Sequence, residues 1–194
     1  MITHIDGKLV QKTPTYVVID CGGVGYAINI SLHTYEKLGT SERLKLHTHQ
    51  VIKEDSHTLY GFFDEDERQL FVQLLSVSGV GPNTARLMLS SLKPFDIKQA
   101  ITIGNWALIK TVKGIGEKTA QKVVIDLKNK VKGDETAEGL SFAGSKNVSM
   151  EEALAALVML GFSKNEAEKG LQKIRQQNPL YTVEELVKNT LKIL

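Results

Sequence analysis

The pattern of apolar residues along the chain changes near residue 64 from short β-rich runs to the period of amphipathic helices. Residues 16–20 and 25–31 are rich in β-branched, aromatic and other apolar residues, and they lie on either side of the glycine turn Cys21-Gly22-Gly23-Val24. Similar runs cover residues 2–9, with a break at Asp6-Gly7, and residues 44–53 and 58–63. Several short strands in so short a segment predict a small OB-like β-barrel over residues 1–64.

From Asp64 onward the apolar residues recur at the spacing of amphipathic helices. Asp64 and Glu67 together predict an acidic capping box, and the helical run continues to Val77. Asp96 and Asn105 are candidate caps of later helices. The pattern therefore predicts an all-α domain over residues 65–133.

The last third of the chain begins with a segment of a different composition. Residues 134–148 contain few large apolar side chains and predict a flexible linker. Three capping pairs then precede apolar-periodic runs: Ser149 with Glu152, Ser163 with Glu166, and Thr182 with Glu185. They predict a three-helix domain over residues 149–194, in which Gly161 ends the first helix and Phe162 lies near a surface turn.

One short segment occurs twice, 35 residues apart. Residues 77–85 read Val-Ser-Gly-Val-Gly-Pro-Asn-Thr-Ala, and residues 112–120 read Val-Lys-Gly-Ile-Gly-Glu-Lys-Thr-Ala. Glycines permit positive φ and a close approach of backbone N–H groups to a ligand, and the helix that follows directs its positive end to the same place. Two such turns at a fixed separation suit a phosphodiester backbone. The alternative is that each Gly-x-Gly only turns a corner between packed helices.

The duplicated turns define the candidate DNA-backbone site, whose members supply N–H groups or nearby ammonium groups. They are Gly79, Val80, Gly81, Asn83, Thr84, Gly114, Ile115, Gly116, Lys118, Thr119 and Lys122. Residues 65–133 carry 11 basic and 6 acidic residues, a net charge of +5, whereas the whole chain carries only +2. The positive charge is thus concentrated in the segment that contains the turns, as phosphate binding requires.

The composition of the chain bears on three other classes of feature: membrane spans, disulfides and metal sites. The chain has no run of 18 apolar residues and no charged-then-apolar leader, so we expect a cytosolic protein without a membrane span. Cys21 is the single cysteine, which excludes an internal disulfide and a cysteine-based metal cluster. His47 and His49 share one face of a predicted strand, but nothing nearby completes a metal site, and ordinary strand residues are the preferred interpretation.

Glu54 and Asp55 stand where one predicted strand turns back into the next. Two carboxylates at a hairpin tip are unexpected on a DNA-binding protein, because they repel phosphates. The alternative is an ordinary solvated turn.

The chain as a whole resembles the RuvA family of Holliday-junction branch-migration subunits over essentially its full length. The residues that carry the resemblance are Gly22-Gly23-Val24-Gly25-Tyr26, Lys53-Glu54-Asp55, Leu59-Tyr60-Gly61-Phe62, both glycine turns, and Leu160-Gly161-Phe162 with Glu166-Ala167. The resemblance implies a multidomain α+β protein: an OB-like β-barrel, a tandem helix-hairpin-helix domain and a C-terminal three-helix, UBA-like bundle. It also implies a homotetramer, or paired tetramers, around a four-way junction, with no cofactor and no catalysis by this chain.

The resemblance further implies roles for particular residues. Glu54 and Asp55 match the family's acidic pin, which faces the centre of the junction. The C-terminal domain would contact the RuvB ring ATPase, which supplies the force because this chain lacks a Gly-x-x-x-x-Gly-Lys-Ser/Thr phosphate loop. By motif position, the candidates for that contact are Leu157, Leu160, Phe162 and Leu191. The RuvC resolvase would be a further partner in recombination and repair.

Two positions depart from the family pattern, and two other functions compete. Asn83 and Glu117 stand where relatives often carry basic residues, so the resemblance does not carry side-chain phosphate contact to them.

The second turn also resembles the hairpin of base-excision glycosylases, in which Lys118 would be the nucleophile, but the chain has only the linker acids Asp134 and Glu135 as partners. A general DNA-binding adaptor without four-way preference is the other alternative.

Overall fold

The computed structural model describes residues 1–139, 145–179 and 181–194. They form two compact units, Met1–Ala137 and Glu138–Leu194. Among the described residues, no helix has the length and apolar character needed to cross a membrane.

In the described part of the chain, five strands close into a barrel in the order β1-β2-β3-β5-β4. They are β1 (His4–Lys12), β2 (Tyr16–Cys21), β3 (Val24–Ile30), β4 (Arg43–Ile52) and β5 (His57–Phe62). Neighbouring strands are antiparallel except β3 and β5, which are parallel. Alternate residues such as Val17, Ile19 and Leu46 fill the interior. The predicted OB-like barrel is confirmed.

Strand β1 runs without interruption through Asp6-Gly7, so the predicted break there is wrong. Gly7 is buried, and a Cβ at this position would lie 2.2 Å from the carbonyl oxygen of Asp20 on β2. The glycine thus allows two strands to approach closely and does not form a turn. Residues 4–8 of β1 pair with β4 and residues 8–12 pair with β2, which closes the barrel.

A short helix, α1 (Leu32–Lys37), follows β3 and was not predicted from the sequence. The Ser31 hydroxyl caps it by accepting a hydrogen bond from the Thr34 N–H at 3.0 Å. Six residues are too few for an apolar helical period to be recognised.

The helical part of the first unit has its own core, which packs against the outer face of strand β5. It contains α2 (Glu65–Leu75), α3 (Pro82–Ser91), α4 (Pro94–Ile103), α5 (Trp106–Lys110) and α6 (Glu117–Gly139). Phe71 of α2 is fully buried, and its ring centroid lies 4.9 Å from that of Phe62 and 5.1 Å from that of Tyr60, both on β5. Because Tyr60 and Phe62 point away from the barrel interior, the helices cover its outer face, and barrel and helices form one compact unit.

The start of α2 differs from the prediction. Asp64 occupies the N-cap position, but its carboxylate pairs with Lys37 of α1. Glu67 is buried and accepts hydrogen bonds from the hydroxyls of Ser31 and Thr34. The predicted acidic capping box is therefore wrong, because both carboxylates have partners on or beside α1.

The two other predicted caps in this part of the chain have different outcomes. Asn105 caps α5, with its side chain accepting from the Leu108 N–H at 3.2 Å. Asp96 lies within the first turn of α4, whose N-cap is Lys93, so its prediction as a cap is wrong.

The second unit contains α7 (Ser145–Met159), α8 (Lys164–Gln177) and α9 (Val183–Thr190). Its described core consists of Ala153, Leu157, Ala167, Leu171, Ile174 and Leu186. The capping boxes at Ser163 and Thr182 are both present as predicted. The box predicted at Ser149 is wrong, because α7 begins at Ser145 and Ser149 lies inside it. Gly161, with φ +102°, follows the end of α7 as predicted.

Helices extend into both ends of the segment predicted as a linker. Helix α6 continues to Gly139 and α7 begins at Ser145, while residues 140–144 lie outside the described residues. Glu and Ala, which are good helix formers, are frequent just before Gly139 and support the longer α6. The division between the two compact units falls inside residues 134–148.

Candidate nucleic-acid interface

The two glycine turns follow the same backbone path. Gly79, after α2, has φ +94°, and Gly114, after α5, has φ +87°. Both values lie in the left-handed region, where a Cβ is unfavourable and glycine is preferred. The duplication seen in the sequence is thus a duplication of structure, as expected for a tandem helix-hairpin-helix.

The apolar residue between the glycines of each turn faces inward. Val80 and Ile115 are each 5% exposed, and their N–H groups donate to the carbonyls of Val77 at 3.0 Å and Val112 at 3.1 Å. Neither the side chain nor the N–H group is therefore free to bind a phosphate. Val80 and Ile115 have to be removed from the predicted contact set, because they anchor the turns in the core.

A helix begins immediately after each turn. The Gly81 carbonyl accepts from the Ala85 N–H at 2.9 Å, and the Gly116 carbonyl accepts from the Ala120 N–H at 3.0 Å. Each glycine therefore lies immediately before its helix, and its carbonyl accepts the first helical hydrogen bond. The first N–H groups of a helix lack intrahelical carbonyl partners. This class includes the N–H groups of Asn83 and Thr84 in α3 and those of Lys118 and Thr119 in α6. The N–H groups of Gly81 and Gly116 also belong to it.

The two turns lie next to each other. A Cβ placed on Gly79 would lie 4.0 Å from Oγ1 of Thr119, in the first turn of α6. A Cβ on Gly81, Gly114 or Gly116 would meet no described atom within 4 Å. The outer side of both turns is therefore open, and it presents two positive helix ends within one surface.

Lysine side chains surround the second turn. Lys118 and Lys122, both exposed, are four residues apart and lie on one face of α6. Lys113, also exposed, is in the turn itself; it was not among the predicted site residues, although its position inside the repeat could have indicated it. Among the described side chains, none forms an ion pair with these three ammonium groups.

The turn between β4 and β5 carries the two carboxylates at its end. Lys53 and Ser56 exchange backbone hydrogen bonds, with the Lys53 N–H donating at 2.8 Å and the Ser56 N–H at 3.4 Å. Glu54 and Asp55 occupy the two positions between them, and both side chains are exposed. This hairpin tip belongs to the same compact unit as the glycine turns.

Comparisons with known proteins agree with this arrangement. Family models match residues 1–61 (RuvA N terminal domain), 71–129 (SAM-like Helix-hairpin-helix tandem) and 149–194 (RuvA, C-terminal domain). The chain is 53% identical to the Holliday junction branch migration complex subunit RuvA of Flavobacterium psychrophilum and 50% identical to that of Christiangramia forsetii. Each match covers 100% of both proteins. The chain belongs to the RuvA family.

Glu117, one departure from the RuvA family pattern, is paired within its own neighbourhood. Its carboxylate lies 2.8 Å from Lys110 Nζ and accepts from the Gln121 amide at 3.4 Å. Both members of the ion pair are about half exposed, so the pair contributes little stability. Its effect is local, because Lys110 compensates a negative charge at the start of α6.

Asn83, the other departure, connects the first turn to the barrel. Its Oδ1 accepts a hydrogen bond from the Tyr60 hydroxyl at 3.4 Å. Burial raises the pKa of Tyr60, which keeps that hydroxyl protonated as the donor. The backbone N–H of Asn83, in the first turn of α3, has no intrahelical carbonyl partner, so a contact through the main chain of this residue stays a prediction.

The two histidines of β4 have separate environments. Nδ1 of His47 lies 3.0 Å from Glu65 Oε2, and His49 packs edge-on against Phe71 with ring centroids 5.8 Å apart. Burial lowers the pKa of His49. Among the described residues, no group of three or more His, Cys, Asp or Glu side chains is placed to hold a metal ion.

The four residues predicted to contact a partner of the RuvA family C-terminal domain differ in exposure. Leu160 and Leu191 are 60% and 41% exposed, and Phe162 is half-buried against the core of the second unit. Leu157 is fully buried, so its prediction as a contact residue is wrong. The 3.6-residue period identifies an apolar stripe, but it does not say which of its members face the core. Exposed apolar residues that the prediction missed are Val158, Met159, Ile193 and Leu194.

Proposed function

We propose that this chain binds four-way DNA junctions and is the non-catalytic DNA-binding subunit of an ATP-driven branch-migration complex. The observation that carries the proposal is the presence, in one compact unit, of two matched glycine turns, each followed by a helix start, and an exposed acidic hairpin tip. The printed names of relatives that match over their full length support the same function.

The glycine turns hold the duplex arms. Free N–H groups at the starts of α3 and α6 donate to phosphate oxygens, and Lys118 and Lys122 add charge without reading sequence. Four copies in a homotetramer provide one such pair of turns for each arm of the junction. Paired tetramers would enclose the junction from both faces.

The acidic tip acts at the centre. Glu54 and Asp55 from four copies place eight carboxylates around the crossover, where they repel phosphates and keep the arms apart in an open, square-planar arrangement. Attraction at the arms and repulsion at the crossover guide strands as they exchange.

The second unit recruits the motor. We assign the contact with the RuvB ATPase to the exposed apolar residues Leu160 and Leu191, with Phe162 beside them. Exposed leucine and phenylalanine side chains suit a groove in a partner protein. The RuvC resolvase is a further partner in this proposal, and the assembly works in the cytoplasm.

The glycosylase alternative makes a different prediction for Lys118. A nucleophilic lysine would form a Schiff base with abasic DNA, which borohydride reduces to a stable adduct. The proposed function predicts no adduct after borohydride treatment. A covalent complex that disappears in Lys118→Ala would establish the enzyme instead.

The experiment that tests the proposed function is a competition binding assay. A labelled four-way junction is titrated with the full chain at moderate salt, in the presence of unlabelled junction or of linear duplex with the same arm sequences. The proposal predicts that duplex competes far less well than junction. Equal competition by duplex would favour the general DNA-binding adaptor.

A further inference from the structure

Four consecutive acidic residues begin α2, and each reaches a different part of the first unit. Asp64 pairs with Lys37 of α1, Glu65 with His47 of β4, Asp66 with Lys98 of α4, and Glu67 with hydroxyls beside and within α1. Three of these contacts join α2 to elements of the barrel or to α1, and only the Asp66 contact stays within the helical part. The start of α2 is therefore one of the places where barrel and helices are held together, beside the Phe71 packing and the Arg68 and Arg86 hydrogen bonds to the barrel.

Glu67 differs from its three neighbours because it is 1% exposed. Oε1 accepts a hydrogen bond from the Ser31 hydroxyl, and Oε2 accepts one from the Thr34 hydroxyl at 2.6 Å. Among the described residues, no lysine or arginine forms an ion pair with it. A buried carboxylate is costly, and well-packed apolar residues often replace such groups without loss of stability.

The hydroxyls that hold Glu67 are themselves connected to the surrounding backbone. Ser31 Oγ accepts from the Thr34 N–H at 3.0 Å, and Thr34 Oγ1 accepts from the Phe63 N–H at 3.2 Å. Phe63 follows directly after β5 and precedes the cap of α2. Glu67 thus fixes the link between the last barrel strand and the first helix by directional bonds, which an apolar side chain cannot provide.

This link lies between the two surfaces of the candidate DNA site. The acidic tip is at the beginning of β5, and Phe63 is at its end. The first glycine turn follows the C-terminal end of α2. A change in the angle between β5 and α2 would therefore change the distance between Glu54 and Gly79.

We propose that Glu67 is a positioning residue that fixes the angle between the barrel and the helices, and so sets the separation of acidic tip and glycine turns that a four-way junction requires. The inference rests on the proposed function and adds a specificity-determining residue to it. In this role Glu67 acts through the fold and contacts no DNA.

The first test compares selectivity. Glu67→Leu removes both directional bonds at similar side-chain volume, and we expect the ratio of junction affinity to duplex affinity to fall by about tenfold, a size typical of coupling between two sites. Duplex affinity should stay close to that of the wild type, because the turns are unchanged. Glu67→Gln retains hydrogen-bonding capacity and should restore most of the ratio. The matched control is Asp66→Ala, which breaks a neighbouring contact within the helical part and should leave the ratio unchanged.

A second measurement covers the case in which Glu67→Leu fails to fold. Thr34→Val removes one donor to Glu67 and the acceptor for the Phe63 N–H while preserving shape. Spin labels on Ser56→Cys and Ser78→Cys, in a Cys21→Ser background, report the distance between tip and first turn. We expect a shifted or broader distance distribution in Thr34→Val than in the background protein.

The outcomes separate the two proposals. A wild-type chain without junction preference contradicts the proposed function itself. A wild-type preference that Glu67→Leu fully retains, or an unchanged distance distribution in Thr34→Val, overturns the role of Glu67 and leaves the proposed function standing.

Discussion

At the scale of single residues, the positive charge of the candidate interface depends on which charged side chains form ion pairs and which do not. Lys118 and Lys122 are exposed beside the second turn, whereas Glu117 between the turn and these lysines is paired with Lys110. The departure of Glu117 from the family pattern therefore reduces the positive charge at the turn less than its sequence position suggests. Free ammonium groups near backbone N–H donors are the side chains that we expect to contribute to affinity.

Replacing Lys118 and Lys122 with alanine should weaken junction binding. The slope of log binding constant against log salt concentration should become shallower by about 2, because each phosphate contact contributes about 0.9. The control is Lys173→Ala with Lys188→Ala, which removes the same charge from the second unit. Binding titrations at several salt concentrations measure both. An unchanged slope in the first variant would remove the two lysines from the site.

Glu67 should make the stability of the chain depend on pH. Burial raises the pKa of its carboxyl above the ordinary 4.5, against the opposing hydrogen bonds from Ser31 and Thr34. For a raised pKa, the stabilising contribution is complete below the unfolded value and is lost as pH rises through the folded value. Glu67→Gln lacks this titration. The free energy of unfolding of the wild type, relative to Glu67→Gln, should therefore fall as the pH rises above the ordinary carboxyl range near 4.5.

Urea unfolding of both proteins at pH values below and above that range measures the difference. A difference that stays constant, or that grows in favour of the wild type as pH rises, would contradict the assigned environment of Glu67.

At the scale of elements, the two glycines of one turn have different tasks. Gly79 adopts φ +94°, whereas Gly81 has φ −89° and open space around its missing Cβ. The first permits the backbone path, and the second leaves room in front of the helix end. A sequence motif cannot separate these tasks, because both positions read as glycine.

Alanine substitutions should separate the role of Gly79 from that of Gly81. Gly79→Ala should destabilise the first unit by about 1 kcal/mol through backbone strain. Gly81→Ala should leave stability nearly unchanged and still weaken junction binding, because its methyl group stands where a phosphate would approach. Thermal unfolding and junction titration of both variants provide the test. Full junction affinity in Gly81→Ala would show that the phosphate does not approach this turn.

The capping boxes of the second unit allow a matched comparison. Thr182 caps α9 through the Glu185 N–H at 3.3 Å, whereas Ser149 lies inside α7. Thr182→Ala should cost about 1 kcal/mol of helix stability, and Ser149→Ala should change little. Amide hydrogen exchange in α9 and α7 reports each effect separately. Equal losses in both variants would contradict the assigned helix start at Ser145.

The sequence predicted local features well where the signal was repeated or chemically specific. The duplicated Gly-x-Gly segments, the barrel strands and the caps at Ser163 and Thr182 are all present. It failed where tertiary contacts decide. Gly7 was taken for a turn because the proximity of Asp20 is not visible in the sequence, and Glu67 was taken for a capping residue because its partners lie 36 and 33 positions earlier.

At the scale of the whole molecule, the first unit combines surfaces of opposite charge in one body. Packing of the helices against Tyr60 and Phe62 of β5 joins the acidic tip and the open glycine turns in one compact unit. Membership in the RuvA family connects this arrangement to proteins that are named for the Holliday junction branch migration complex. We propose that repulsion by the tip opens a junction whose arms are held by the turns.

The most direct test measures the shape of a bound junction by energy transfer between dyes at two arm ends, in magnesium buffer that keeps the free junction stacked. The wild type is compared with Glu54→Gln combined with Asp55→Asn, which removes the charges and preserves shape. We predict that the wild type opens the arms to a square-planar arrangement, and that the variant binds at least as tightly but opens them less. Arms that stay stacked with the wild type, or that open equally with a weaker-binding variant, would contradict repulsion as the role of the tip.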